Sequence, residues 1–234
     1  MSVEWTKIVV VLDNEAYTIG LESEWGLSIY LETPHTKVLF DTDTDPVKLM
    51  FNLRSLNINL LQLDSIVISH THRDHTGGLR IVADYNPDLR VYMPKRAKIN
   101  RKIRDLKLSF IHLEETTSIS KGVYVVGEQC STALGIWEQA VAVRVRDKLI
   151  LLCGCSHPGV DRIAEKALRD IGGRLHIVIG GFHNPPYTAL NRLIELGVNK
   201  IYPLHCSGSS TRAYIEENYP ERIGRGGSGL ILEV

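Results

Sequence analysis

The sequence predicts an α/β fold with two mixed β-sheets flanked by helices. Short runs rich in β-branched residues recur along the whole chain and are typical of strands. In the second half these runs alternate with amphipathic helical patterns, which indicates strand–helix units in a partly parallel sheet. The first half instead starts with three runs in close succession, which favours an antiparallel meander. Two sheets covered by helices accommodate both patterns.

Each predicted strand is a short apolar run between turn-forming residues. These runs are residues 7–12, 27–31, 37–40, 65–68, 123–126, 140–145, 149–152, 176–179, 200–203 and 230–234. The clearest helix covers residues 160–171, where apolar residues recur on one helix face and two glycines follow. Further helices are predicted over 45–56 and 188–196, the latter ended by Gly197.

Composition narrows the class of protein. Among 234 residues there are 27 basic and 27 acidic side chains, so no overall charge attracts nucleic acid or an anionic membrane. No apolar run approaches the roughly 20 residues of a membrane span, and no signal-peptide pattern opens the chain. Four cysteines without a CxxC pair do not indicate a disulfide framework. We therefore expect a cytoplasmic protein with a single domain, residues 1–234, because no linker interrupts the sequence.

A dense group of metal-ligating side chains follows the predicted strand 65–68. His70, His72, Asp74 and His75 lie within six residues, and imidazole and carboxylate groups suit zinc and similar transition metals. In an extended chain His70 and His72 face the same side and can share one ion, whereas Asp74 and His75 can serve a second. A polar turn without a metal is the alternative, but asparagine or serine would serve there equally well. The spacing predicts a two-metal site, with zinc favoured and manganese, iron or magnesium left open.

Further segments along the chain extend this motif into a family resemblance. They are Leu12-Asp13-Asn14, Trp25-Gly26-Leu27-Ser28, Leu39-Phe40-Asp41-Thr42, Gly154-Cys155-Ser156-His157-Pro158-Gly159, Gly180-Gly181-Phe182-His183 and His205-Cys206-Ser207-Gly208. Together with the histidine cluster, they resemble the metallo-β-lactamase superfamily, and within it the group that includes dihydropterin ribofuranosylaminobenzene phosphate synthases. The resemblance implies an αββα sandwich with the metals on the rim between the two sheets.

The resemblance implies that one ion takes His70, His72 and a third histidine. The usual place of that third histidine, before the strand 140–145, holds Glu138 and no histidine. His157, which follows the strand 149–152, is the stronger candidate for the third ligand. Glu138 is the alternative.

The second ion would take Asp74, His75 and His205, the last of which follows the strand 200–203 as the late superfamily histidine does. Cys155 stands where the superfamily places a bridging aspartate. Its thiolate suits a soft ion, although a buried thiol without a metal is an equal alternative. Asp41 resembles the aspartate that orients metal-bound histidines in this fold.

His183 follows a strand through Gly180-Gly181, where two glycines allow a tight turn toward the rim. We expect this histidine to act as a metal ligand or as a proton donor to the substrate. An ordinary loop histidine is the alternative.

Three further motifs bear on ligands. Ser207, Gly208 and Ser209 precede a helical stretch and either bind a phosphate at its N-terminus or simply cap it. The basic segment 95–104 is predicted as an exposed helix, most often a solvated face, with binding of phosphate, a partner or nucleic acid as the alternative. The glycine pattern at 224–229 fits a dinucleotide motif, but no helix follows it, so this interpretation is rejected.

These features predict a metal-dependent hydrolase of a phosphorylated or ester-type small molecule, with Asp74 and His183 as catalytic residues. The first alternative is a synthase that joins a pterin to a ribofuranosylaminobenzene phosphate with the same site. The second is a metal-binding protein without catalysis. A nuclease is disfavoured, since the chain has no room for the nucleic-acid clamp that related nucleases carry, and no membrane partner is expected.

Overall fold

Two β-sheets packed face to face form the centre of the structure, a computed structural model that describes residues 1–234. The strands are β1 (Lys7–Leu12), β2 (Ser28–Thr33), β3 (Thr36–Phe40), β4 (Ser65–Val67), β5 (Arg90–Pro94), β6 (Ser109–Leu113), β7 (Thr117–Ser120), β8 (Val123–Ser131), β9 (Ile136–Val145), β10 (Lys148–Cys153), β11 (Arg174–Gly181), β12 (Lys200–Leu204) and β13 (Ile231–Glu233). The first sheet has the order β13-β1-β2-β3-β4-β5-β6 and the second β12-β11-β10-β9-β8-β7. Both sheets contain parallel and antiparallel pairs, so the predicted mixed sheets are confirmed.

Helices cover the outer face of each sheet. They are α1 (Pro46–Ser55), α2 (Arg73–Thr76), α3 (Leu79–Tyr85), α4 (Arg101–Arg104), α5 (Val160–Ile171), α6 (Tyr187–Glu195) and α7 (Ser209–Asn218), with short 3₁₀ helices at Leu60–Gln62 and His205–Ser207. Apolar residues of α1 and α3 pack on the first sheet, and those of α5 and α6 pack on the second. None of the helices combines the length and the apolar character that a membrane crossing requires.

The apolar runs of the central strands are explained by burial on both faces. In β1, Ile8 and Val10 belong to the core between the sheets, whereas Val9 and Val11 face the helices outside. A strand covered on both sides needs apolar residues at every position rather than at every second one. The result is a four-layer arrangement of helix, sheet, sheet and helix.

Most predicted elements are confirmed, and the differences lie between residues 90 and 120. Helix α5 has the predicted bounds, whereas β5, β6 and β7 were not predicted. The prediction that residues 95–104 form a helix is wrong except for α4, because residues 95–100 form a turn and irregular chain. Arg96 in this segment donates to Glu128 through its backbone N–H and its guanidinium, so a contact with the second sheet fixes the chain here.

The carboxyl ends of several strands meet at one rim of the sandwich. Strands β10, β11 and β12 are parallel neighbours, and β4 is parallel to β3 in the other sheet. The chain reaches His70 just after β4, Cys155 after β10, His183 after β11 and His205 after β12. The topology therefore brings side chains from distant parts of the sequence to one place.

Candidate metal centre

One group of side chains at this rim combines three histidines. His70, His72 and His157 have ring nitrogens that all lie within 4.8 Å of one another. His70 Nε2 is 3.0 Å from His72 Nδ1, and the rings of His70 and His157 are 4.7 Å apart at their centroids. Two of these three were expected from their spacing, and the geometry brings His157 to the place of the third.

His157 is held by a buried carboxylate. Glu138 accepts hydrogen bonds from the backbone N–H and from ring Nδ1 of His157, both at 2.8 Å, and its other oxygen accepts from the backbone N–H groups of Cys155 and Ser156. Nδ1 of His157 thus carries the proton, and Nε2 is left as the nitrogen available to a ligand. Because both oxygens of Glu138 are engaged, this residue positions His157 and does not take its place.

A second group lies directly beside the first. Asp74, His75, Cys155 and His205 have donor atoms within 4.8 Å of one another. Cys155 Sγ is 3.2 Å from His75 Nε2, and Asp74 Oδ2 is 3.3 Å from His205 Nε2. The rings of His70 and His75 are only 4.2 Å apart, so the two groups are adjacent.

Three further histidines of the two groups have fixed orientations because their Nδ1 atoms are hydrogen-bonded. Asp41 Oδ2 accepts from His75 Nδ1 and from the Ser69 hydroxyl, each at 2.7 Å, and Ser69 Oγ is 2.9 Å from His70 Nδ1. On the opposite side, Asn14 Oδ1 lies 3.0 Å from His205 Nδ1. Such outer contacts select the tautomer that leaves Nε2 free. Asp41 thus holds His75 directly and His70 through Ser69.

The residues at this rim fit a transition-metal ion. His205 Nε2 is buried and has no partner with hydrogen-bond geometry, which is costly for a polar atom that no ligand satisfies. The donors are imidazole nitrogens, one carboxylate and one thiol, a mixture that suits zinc better than magnesium or calcium. The arrangement can hold two ions, one in each group.

Electrostatics at the rim place His70 and Asp74 in the protonation states that a metal requires, whereas His75 must lose a proton before it can bind one. Burial lowers the pKa of His70 well below its usual value, with a further contribution from His75, so this ring is neutral. Burial acts in the same direction on His75, but the adjacent Asp41 outweighs it and raises the pKa of His75 to about 9. Burial would raise the pKa of Asp74, yet contacts with His205 and His75 hold it well below its usual range, so Asp74 is ionised.

A third group contains His183, which was predicted, and Cys206, which was not. Cys155, His183 and Cys206 have donor atoms within 4.8 Å of one another, and the ring of His183 lies 4.6 Å from that of His157. A Cβ atom on Gly181 would lie 2.9 Å from Cys206 Sγ, so only glycine leaves room for this sulfur. His183 therefore lies at the edge of the first group, exposed to solvent.

Backbone strain is concentrated at the same rim. Asp41, Ser156, His183 and His205 adopt positive φ angles of 58°, 61°, 51° and 50°. Each such conformation costs of order 1–3 kcal/mol for a non-glycine residue and persists where the surroundings enforce it. Strain of this kind is typical of functional sites.

The segment after His205 does not favour the phosphate site suggested by its sequence. The Ser207 hydroxyl is buried, donates to the Leu204 carbonyl at 2.6 Å and accepts from the Phe182 N–H at 3.1 Å. Gly208 faces Asn184, since a Cβ atom there would lie 2.1 Å from Asn184 Oδ1. Of the three candidate residues, only Ser209, at the start of α7, has an exposed side chain.

Comparisons with known proteins agree with this architecture. The family model of the anti-Pycsar protein Apyc1 matches residues 15–104, which include the histidine cluster. The 7,8-dihydropterin-6-methyl-4-(β-D-ribofuranosyl)-aminobenzene-5′-phosphate synthase of Methanocaldococcus jannaschii is 26% identical, and the match covers 94% of each chain.

Solved structures extend the comparison to the whole fold. Tm1679, described as a metal-dependent hydrolase of the β-lactamase superfamily, superposes with a TM-score of 0.85 at 26% identity and covers 98% of this chain and 99% of its own. YhfI of Bacillus subtilis, a metallo-β-lactamase fold protein, gives a TM-score of 0.70 at 11% identity over 99% of this chain and 100% of its own. The chain therefore has the metallo-β-lactamase fold, as its sequence motifs predicted, and its sequence is similar to that of a dihydropterin ribofuranosylaminobenzene phosphate synthase.

Proposed function

We propose that this chain is a binuclear metal-dependent hydrolase that acts on a phosphate ester or related ester of a small molecule. The observation that carries the proposal is the adjacency of the two ligand groups, whose nearest rings, those of His70 and His75, are 4.2 Å apart. Each group offers at least three donors from residues suited to zinc. Paired divalent ions supply Lewis acidity toward a substrate oxygen and activate a water molecule at neutral pH.

The ligands divide between the two ions. His70, His72 and His157 would hold the first ion. The second ion would be held by four residues: Asp74, His75, Cys155 and His205. The Cys155 sulfur is close to His75 of its own group, and Glu138 accepts from the backbone of Cys155 and from the ring of His157 in the other group. These contacts support a place for the sulfur on the side that the two groups share, where it would bind an ion as the thiolate.

Residues behind the ligands hold the ring nitrogens in place. Glu138, Asp41 and Asn14 each accept a hydrogen bond from Nδ1 of one histidine. This fixes the direction of each Nε2 lone pair before an ion binds, which reduces the reorganisation that binding would otherwise need.

His183 is placed to handle a proton on the substrate. Its ring lies beside His157 but is exposed to solvent, unlike the buried rings of His70 and His75. We assign to it the donation of a proton to the leaving group of a bound substrate, as a positioned imidazole can do.

The experiment compares the zinc-loaded chain with its Asp74→Ala variant on p-nitrophenyl phosphate and bis(p-nitrophenyl) phosphate. Loss of the carboxylate should abolish turnover and leave the fold intact, because the backbone carbonyl of Asp74 still accepts from Leu27. Asp84→Ala is the matched control, an exposed aspartate in α3 away from the rim. An active, fully zinc-loaded Asp74→Ala protein would refute the mechanism. A zinc-loaded wild type without turnover of any ester would favour a metal-binding protein.

A synthase is the second candidate function, favoured by the similarity to the M. jannaschii synthase over 94% of both chains. In that case the same rim would bind a pterin and a ribosylated aryl amine and join them. Incubating the zinc-loaded chain with a pterin diphosphate and an aryl amine separates the two candidates. A condensed product supports the synthase, and a free pterin alcohol without condensation supports the hydrolase.

A further inference from the structure

The loop between β1 and β2 carries a tryptophan at the edge of the second ligand group. The indole ring of Trp25 lies 5.2 Å from the ring of His205, between centroids, at an interplanar angle of 53°. Two residues further on, the Leu27 N–H donates a hydrogen bond to the backbone carbonyl of Asp74. Trp25 therefore adjoins His205 from outside, and its loop is tied to Asp74 through Leu27.

The backbone around Trp25 is held firmly on both sides. Glu24 N–H donates to the Asp13 carbonyl at 3.1 Å, and Gly26 N–H donates to Asn14 Oδ1 at 3.2 Å. The carbonyl of Trp25 accepts from the Thr44 hydroxyl at 2.5 Å. Asn14 Oδ1 also contacts His205 Nδ1, so one side chain ties this loop to a ligand.

The side chain contrasts with this fixed backbone, because 58% of Trp25 is exposed. Covering this indole with an apolar or aromatic group would remove a large apolar area from water. The held backbone also means that little backbone entropy is lost when a ligand binds here. Both features are those of a preformed binding surface.

We propose that Trp25 is the platform on which a planar aromatic or heteroaromatic ring of the substrate stacks, while the ester or leaving group of the same molecule faces the metal ligands. Stacking on Trp25 does not depend on the proposed function, whereas the direction of the ester toward the metal ligands does. An aromatic ring stacks on indole with a sizeable gain in affinity that does not require a particular pattern of hydrogen bonds. The substrate class is thus a flat ring that bears an ester or phosphate.

The test uses two ligands that differ only in their ring. Phenylphosphonate and cyclohexylphosphonate carry the same headgroup and carbon count and have no ester bond to hydrolyse. Their binding to the zinc-loaded chain is measured by calorimetry, with pterin as a third, uncharged planar ligand. Trp25→Ala keeps the backbone hydrogen bonds, since none of them uses the indole. It should weaken the binding of phenylphosphonate and pterin about tenfold or more and leave that of cyclohexylphosphonate nearly unchanged.

Two control variants complete the design. Trp25→Phe retains a ring and should bind phenylphosphonate within about threefold of the wild-type affinity. Trp5→Ala removes another exposed tryptophan, which is 44% exposed. Trp5 precedes β1, whereas the residues near the metal site follow the other end of that strand. This variant should leave the affinity for all three ligands unchanged.

The outcomes separate this inference from the proposed hydrolase. Equal weakening of the binding of both phosphonates by Trp25→Ala, or zinc loss from that variant, would overturn the stacking surface and indicate that Trp25 shields His205. Ester hydrolysis with no dependence of ring binding on Trp25 would refute the platform alone. Pterin binding that depends on Trp25 in a chain without hydrolase activity would support the platform and refute the hydrolase.

Discussion

Replacing Glu138 with glutamine tests how the first ligand group is positioned. Glu138 is fully buried and accepts from the backbone N–H groups of Cys155 at 2.8 Å and Ser156 at 2.7 Å, and from the N–H and ring Nδ1 of His157, each at 2.8 Å. Burial would raise the pKa of this carboxyl, but the hydrogen bonds from the ring and backbone of His157 hold it well below its usual range. A glutamine has only one oxygen to accept these bonds.

The magnitude follows from where the amide group of the glutamine must point. If the glutamine oxygen accepts the hydrogen bonds from the Cys155 and Ser156 N–H groups, its NH₂ group faces His157. The backbone N–H of His157 is then left without an acceptor, which costs about 1–3 kcal/mol of stability. The ring of His157 then accepts at Nδ1 and carries its proton on Nε2, the nitrogen that would face an ion. We expect Glu138→Gln to fold, to be destabilised by that amount, and to bind zinc in the first group about 10- to 100-fold more weakly.

Urea unfolding of the metal-free chain and a zinc titration against a chromophoric chelator measure the two effects. Glu128→Gln is the matched control, a carboxylate with a buried side chain on β8 that pairs with Arg96 instead of a histidine. It should lose stability and keep its zinc affinity. Unchanged zinc affinity in Glu138→Gln would refute the argument that this carboxylate sets the tautomer of His157.

The remaining predictions concern the second group and strand β11, which leads to His183. Cys155→Ser should weaken zinc binding and abolish the thiolate-to-metal charge-transfer band of the cobalt-loaded chain, whereas Cys206→Ser should retain both, since its sulfur is outside the second group. Loss of the band in Cys206→Ser alone would contradict this assignment. Gly180→Ala should lower the free energy of unfolding, measured in urea, by at least the roughly 1–3 kcal/mol that a strained backbone costs. The reason is that φ is +130° and the new Cβ would also lie 1.9 Å from the Cys153 carbonyl oxygen. Gly172→Ala, with φ +74° and no atom within 4 Å, shows the effect of strain without the clash.

Elements with a strong local pattern were predictable from the sequence. Helix α5 was predicted with its bounds, Val160–Ile171, because apolar spacing on one helix face is a property of a dozen neighbouring residues. Strand β4 was predicted from the apolar run that contains Ser65–Val67, and the histidine cluster after it from the type and spacing of its side chains. Both are properties of neighbouring residues.

Two of the three strands that were missed, β6 and β7, lie at the edges of the sheets, and the third, β5, lies next to β6. Both Ser109–Leu113 and Thr117–Ser120 consist of exposed and half-buried residues, so neither the alternation of a half-buried strand nor a continuous apolar run marks them. Arg90–Pro94 ends in a proline, which weighs against a strand in a sequence pattern. Pairing with neighbouring strands, which sequence patterns do not encode, decides the structure of these segments.

The ligand types of the candidate site were predictable, but their supporting partners were not. Asn14 and His205 are 191 residues apart in sequence, and nothing local connects them. Glu138 was considered as a ligand because it stands where a histidine was expected, whereas the fold aims both of its oxygens at the chain around His157. No role was predicted for Cys206, although its position directly after His205 could have suggested a place at the rim.

Metal stoichiometry tests the central claim most directly. Elemental analysis of the chain, purified and equilibrated with zinc, should give two ions per chain. His157→Ala should retain the ion of the second group and lose the ion of the first, while His35→Ala, which alters a histidine outside all three groups, should retain both. One ion or none in the wild type, or two ions in His157→Ala, would contradict the two-metal centre proposed for this rim.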